Sequence, residues 1–299
     1  MRITVTGGTG FVGQRLTSAL LEGGNQVRIL ARSPRTGIDS RVNVYLWDAA
    51  KTEPPEESLS GADAVVHLAG EPVAQRWTPE SRRRIRSSRV DGTRHLVQAL
   101  SRIEKPPPVL VSASAIGYYG ERGDEELTES AAAGEGFLSE VCAGWEAEAD
   151  KAASLGIRVV KLRIGVVLGL GGGALAQMLP PFRMLIGGRL GTGKQWMSWI
   201  HLDDLAGLVE FAAATPSLEG AVNATAPNPV RNSQFTRALA RTLHRPALFT
   251  VPAKGLRLLF GDMAEVLLSS QRVLPKAAMD AGYQFRYTEL GTALKSLLG

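Results

Sequence analysis

Apolar residues alternate with threonine at the start of the chain, Ile3 and Val5 against Thr4 and Thr6, and the pattern then stops at Gly7-Gly8-Thr9-Gly10-Phe11-Val12-Gly13. Leu16, Ala19 and Leu20 follow at helical spacing, and a second apolar strand begins at Gln26. The same exchange of periods runs on through the chain. It predicts strands over 2–6, 26–31, 42–46, 64–68, 108–113, 157–163 and 221–224, and helices over 11–22, 79–102, 137–154, 203–214 and 232–243. Strands that alternate with helices build a parallel sheet covered on both faces, so the expected fold is α/β and doubly wound. The proline-rich stretches at 53–55 and 106–108 read as loops, because apolar strands resume directly after them. The tail from Val251 has its own apolar periodicity (Leu256, Leu258, Leu259, Phe260, Met263, Val266, Leu267) and ends in a further helix near 290–298. Two regions are expected: a main domain over 1–225, including part of the substrate region, and a small, mostly helical C-terminal domain over 226–299.

Composition narrows the class. At 299 residues, 44% hydrophobic and 21% charged, the chain can bury a large core. Its single cysteine, Cys142, rules out an internal disulfide and a cysteine-rich metal site, so no metal is expected. No apolar run approaches the ~18 residues of a membrane span, and no leader pattern precedes the first strand. A cytoplasmic protein with no membrane partner is the expectation. The net charge of +5 and the run Arg82-Arg83-Arg84-Ile85-Arg86 with Arg89 raise the question of nucleic acid. Arg82, Arg86 and Arg89 share one helix face, but only Trp77 stands near them as a stacking residue. A solvated helix face, with one or two arginines turned to a cofactor phosphate, accounts for the run better than RNA or DNA does. Homodimerisation is left open.

The glycine segment carries the most chemistry. Gly7, Gly10 and Gly13 permit a tight turn, close approach of a pyrophosphate to the backbone, and close packing of helix on strand. The free N–H groups and positive dipole end of the helix that follows favour a phosphate. A dinucleotide is therefore expected here. The second strand ends Leu30-Ala31-Arg32-Ser33-Pro34-Arg35, with no acid at its tip to receive an adenosine ribose hydroxyl. NADP(H) is thus expected rather than NAD(H), with Arg32 on the 2′-phosphate and Ser33 and Arg35 assisting, unless these are ordinary solvated loop arginines.

Together these landmarks resemble the extended short-chain dehydrogenase/reductases, whose glycine turn reads T-G-x-x-G-x-x-G as residues 6–13 do. Leu68-Ala69-Gly70 resembles the fourth-strand motif of that family, the segment Val111 to Gly120 its fifth-strand serine segment, and Ile200 to Ala206 its histidine-aspartate motif. Val141 to Glu146, Gly171 to Ala174 and Gly282 to Phe285 resemble an atypical subgroup, the epimerase family proteins, which has a small C-terminal domain. The resemblance implies a Rossmann-type sheet with a smaller C-terminal substrate or cap region. It also implies cofactor contacts from Gly7, Thr9, Gly10, Phe11, Val12, Gly13, Ala31, Arg32, Arg35, Leu68, Ala69 and Gly70. Arg89 stands where the family commonly has an asparagine and is expected on cofactor phosphate or ribose, with Val167 near the nicotinamide. Asp48 is either an acceptor for the adenine amino group or an exposed turn carboxylate. His201 is either a substrate-positioning residue or a structural one, with Asp203 capping the helix.

One departure is large. The family's tyrosine and lysine, four residues apart, are replaced by Val141 and Trp145, and no tyrosine occurs between Tyr119 and Tyr283. Ser114 matches the family serine, and Tyr118 and Tyr119 are the nearby phenols, either catalytic or pocket walls. Neither Lys161 nor Lys194 is an obvious partner for them. The loop 187–196 is basic and glycine-rich, suited to covering a diphosphate or simply mobile. Two functions compete: an NADP(H)-dependent oxidoreductase or epimerase acting on a carbonyl or sugar nucleotide, and a non-catalytic NADP(H)-binding redox sensor. Replacing Arg32 by alanine is expected to weaken NADPH roughly tenfold or more and NADH much less, measured by titrating each cofactor. Equal losses would remove the phosphate assignment.

Overall fold

The computed structural model of the chain describes residues 1–33 and 36–299, so Arg35 falls outside the described residues. Seven strands form one sheet: β1 (Arg2–Thr6), β2 (Gln26–Ala31), β3 (Asn43–Leu46), β4 (Ala64–His67), β5 (Val109–Ala115), β6 (Arg158–Ile164) and β7 (Gly220–Ala224). Their order is β7-β6-β5-β4-β1-β2-β3, with every neighbouring pair parallel. The doubly wound expectation holds. Winding reverses between β1 and β4, and ligands of such sheets bind in the crevice beyond the strand ends at that point.

Burial on both faces explains the apolar strands. One face packs under the helices Phe11–Glu22 and Leu202–Ala214, through residues such as Leu16, Leu20, Leu205 and Val209. The other lies under the helices Pro79–Leu100 and Phe137–Asp150, with Leu96, Leu100 and Ala149 against Val65 and Leu110. Each fully buried leucine contributes about 1.5–3 kcal/mol relative to an exposed one.

A third apolar cluster forms the C-terminal lobe. It gathers Leu239 of the helix Asn232–Thr242 and Leu294 of Leu290–Leu298, but also Leu175, Leu179 and Phe182 from a helix at Gly173–Arg183. The sequence pattern did not predict that helix, which follows Gly171-Gly172 and ends on a turn holding Pro180-Pro181. The two prolines occupy its last turn, where each removes one backbone N–H donor and the helix ends two residues later. The loop 187–196 is also ordered by pairing. Gly188–Leu190 lies parallel to Phe249–Val251, and Trp196–Met197 lies antiparallel to Val230–Arg231. A β-carbon at Gly188 would lie 2.1 Å from the Phe249 carbonyl oxygen, so only glycine permits that approach.

The His201-Leu202-Asp203-Asp204 segment joins lobe to sheet. The helix starts at Leu202, and its N-cap is His201, whose Nδ1 accepts from the Asp203 N–H at 3.0 Å; Asp203 is not the cap. Asp203 instead pairs with Arg15 on the first helix. The buried Asp204 carboxylate accepts the backbone N–H groups of Arg286 at 2.8 Å and Tyr287 at 2.9 Å. Asp204→Ala leaves both donors without their acceptor. Thermal unfolding is expected to show a loss of roughly 2 kcal/mol or more, with Asp204→Asn intermediate.

Candidate functional site

At the winding reversal, Gly7 adopts φ +69, and a β-carbon there would lie 2.9 Å from the Ala69 nitrogen and 3.0 Å from the Leu68 carbonyl. Turn and strand end are thus in backbone contact. At Gly13 the added carbon would meet the Gly7 oxygen at 2.3 Å, which explains the glycine one turn into the helix. Gly10 is the N-cap and offers no side-chain acceptor, and the first turn holds no acid. Among the described residues no side-chain cap is made to the first-turn N–H groups, which lack helical carbonyls to bond. Phe11 turns its ring under Gly169, Gly172 and Gly173, whose β-carbons it would obstruct. Val167 lies on the short strand before that loop, paired with Ile200 and half-buried. The turn from Gly7 to Gly13 and the strand end at Leu68-Ala69 therefore meet at one crevice mouth, with Gly70 following beside Arg89.

A hydrogen-bond chain braces this mouth. Thr6 Oγ1 accepts from the N–H groups of Leu68 at 3.2 Å and Ala69 at 3.1 Å, so its own proton goes to His67 Nδ1 at 2.7 Å. His67 Nε2 then donates to Thr93 Oγ1 at 3.1 Å, and Thr93 donates to the Arg89 carbonyl at 2.6 Å. Every link has one donor and one acceptor only if His67 is neutral with its proton on Nε2. Burial and, second, the nearby Arg89 push the His67 pKa down to about 4, which agrees. Sequence reasoning missed His67. Its signal was a polar residue ending an otherwise apolar strand.

Arg89 donates to the Glu71 carbonyl at 2.9 Å, lies 5.2 Å from the Trp145 ring and sits against Gly70, where a β-carbon would be 3.2 Å from the guanidinium. Arg32 lies at the tip of β2 with its side chain 71% exposed, and Glu71 is 3.6 Å away. Arg82, Arg83 and Arg84 pair with Asp262, Glu80 and Glu71. The arginine run is thus largely matched by acids. Asp48 pairs with Lys51 at 3.0 Å in a turn.

Deeper in, strand register places Ser114 of β5, Arg163 of β6 and Asn223 of β7 side by side. Glu146 descends on them from the helix Phe137–Asp150. It accepts from Ser114 Oγ at 2.7 Å and from Arg163 Nε and Nη2 at 2.9 Å each. Arg163 Nη1 donates to Tyr119 Oη at 3.0 Å, and Tyr119 donates to Asn223 Oδ1 at 2.7 Å. Burial opposes the Arg163 charge, but Glu146 and the Tyr119 oxygen outweigh it and raise its pKa. Burial likewise raises the Tyr119 pKa, against the opposing effect of Arg163. Tyr119 is completely buried and faces this cluster instead of the crevice. Tyr118 is half-exposed, with the Arg163 guanidinium 3.5 Å from its ring centre, and its hydroxyl has no partner among the described residues. Val141 and Trp145 are both buried in the neighbouring helix, and the indole N–H has no acceptor among the described residues. Cys142 is buried there too, its pKa pushed up to about 11. His201 is buried, stacked 3.9 Å from Tyr287, and its side chain serves the lobe joint. Lys161 pairs with Asp150. Among the described residues, no cluster of side chains suits a metal ion.

The sequence model of the NAD dependent epimerase/dehydratase family matches residues 3–224. This chain belongs to that family. Within it, residues 251–297 match a domain of unknown function, DUF1731, which starts where the tail's separate periodicity starts. This epimerase-family chain is 42% identical over its whole length to the chloroplastic epimerase family protein SDR39U1 homolog of Arabidopsis thaliana, of which it spans 87%. It is 39% identical to the epimerase family protein YfhF of Bacillus subtilis, spanning 98% of it. Among solved structures it is similar to the human epimerase family protein SDR39U1 (isoform 2), crystallised with NADPH, at 34% identity and TM-score 0.89 over 100% and 99% of the two chains. The resemblance read from the motifs is thereby borne out. No helix among the described residues is long and apolar enough to cross a membrane.

His67 gives the family fold here a pH signature. The unfolded chain takes up a proton near pH 6.5, whereas the folded one resists protonation until about pH 4. The resulting stabilisation is complete above 6.5 and is lost as pH falls toward 4, at most about 3 kcal/mol. Urea unfolding across that range is expected to show the loss in the native chain and a flatter profile in His67→Asn.

Proposed function

We propose that the chain binds NADP(H) across the C-terminal ends of β1, β2 and β4 and carries out an oxidoreductase or epimerase-type reaction with Tyr118 as the proton-exchanging group. The residues present suit such a ligand. A glycine turn with no room for β-carbons, an acid-free first helical turn and the exposed Arg32 match a pyrophosphate and a 2′-phosphate. Arg89 supplies a second cation on the crevice wall. The bound cofactor would supply or accept hydride at the nicotinamide C4.

The observation that carries the choice of residue is the free Tyr118 hydroxyl. Tyr119 gives its proton to Asn223, and Ser114 gives its proton to Glu146, so neither has one to offer. Tyr118 Oη does, and the stacked Arg163 guanidinium fixes its ring. Ser114 Oγ keeps a lone pair, which suits it to accept from a substrate hydroxyl and orient it. An alcohol–carbonyl pair, free or on a sugar nucleotide, is the substrate class these groups would handle.

A second reading, a non-catalytic NADP(H)-dependent sensor, is favoured by Val141 and Trp145. They stand where the family resemblance calls for a tyrosine and a lysine, and neither transfers a proton. Titration with NADPH, followed by a panel of carbonyl substrates, separates the two. Turnover that falls about a hundredfold in Tyr118→Phe, with NADPH affinity unchanged, supports the enzyme. Tight binding without turnover supports the sensor, and absence of NADPH binding overturns both.

A further inference from the structure

Two long stretches, 151–202 and 220–261, contain no aspartate or glutamate, and together they supply most of the C-terminal lobe. The charge left on the lobe surface is therefore positive. Arg237, Arg241 and Arg245 recur at every fourth residue and line one open groove with His244. Their side chains have no partner among the described residues, unlike most arginines of this chain, which are paired with acids or carbonyl groups.

Apolar side chains stand beside this groove. Leu248 is 85% exposed, and the pairing of Phe249 with Gly188 brings the exposed loop Met184 to Ile186 alongside. After Pro252, the helix Ala253–Phe260 buries Leu256 and leaves Leu258 80% exposed. Exposed apolar residues scattered singly need no explanation, but a series of them that begins three residues after the unpaired Arg245 does. A second copy of the chain is a poor occupant, since its equivalent face would oppose like charge to like. Single-stranded nucleic acid calls for flat stacking surfaces, whereas these side chains are mainly aliphatic. Cations that reach phosphates beside aliphatic groups that leave water match an anionic bilayer surface. No spanning helix is needed for that.

We propose that this face of the lobe docks on an anionic phospholipid surface, Arg237, Arg241 and Arg245 meeting lipid phosphates and Leu185, Leu248 and Leu258 entering the acyl boundary. This surface is separate from the crevice and independent of the reading given to it. The full-length chain is sedimented with phosphatidylcholine vesicles, with and without phosphatidylglycerol. Binding is expected only with the anionic lipid, falling about tenfold or more in R237Q/R241Q/R245Q and on raising salt. The L185S/L248S/L258S variant is expected to leave the vesicles at a salt concentration that the native chain withstands. Circular dichroism verifies that each variant is folded, and the single variant R241Q supplies a milder step in the series. No retention on anionic vesicles, equal retention of the triple arginine variant, or capture by RNA or an acidic polypeptide while vesicles are ignored would each overturn the proposal.

Discussion

Backbone meets backbone where the first turn of the chain passes the end of the fourth strand, and there is no space between them for a single methyl group. That contact governs the site. It brings the open end of the first helix to the crevice and forces glycine at position 7, while the turn's own approach to the helix forces glycine at position 13, whatever the ligand. The Thr6 hydroxyl converts the contact into a fixed geometry by bonding two amides of the opposing segment. Through His67 and Thr93 the same bracing reaches the backbone carbonyl of Arg89, tying the helix that carries this cation to the strand that leads into the glycines.

The Glu146–Arg163 pair is the second organising element, and it is costly in isolation. Two charges removed from water are offset only when geometry and further hydrogen bonds are good. Here Glu146 accepts three bonds and Arg163 donates on both edges, so the cluster is satisfied. Its effect is to commit Ser114 and Tyr119 in advance. A serine whose proton is held by a carboxylate behaves as an acceptor toward any ligand.

The sheet and the glycine crevice were legible in the sequence because each rests on a local rule: strand alternation, helical spacing, and glycine where no other residue fits. The place of Arg32 at a strand tip was legible from the strand pattern, whereas Arg89 was singled out through the family resemblance. The charged cluster was not, because its members come from β5, β6, β7 and a helix, and only the register across three strands brings Ser114, Arg163 and Asn223 together. A hint existed in Arg163, a cation within an apolar strand. The helix Gly173–Arg183 was hidden by its own prolines. The joint at His201 to Asp204 was seen as a motif, but the parts it joins are more than 80 residues apart in sequence, and no local pattern encodes that distance.

Glu146 and Arg163 also constrain how sequences of this kind can diverge. Loss of either partner strands the other as a buried charge, whereas exchange of both for apolar residues of similar volume removes the problem. Single steps away from the pair are therefore penalised while the double step is not. Lineages that keep this architecture should hold both residues or neither, and the two positions should drift as one inherited unit.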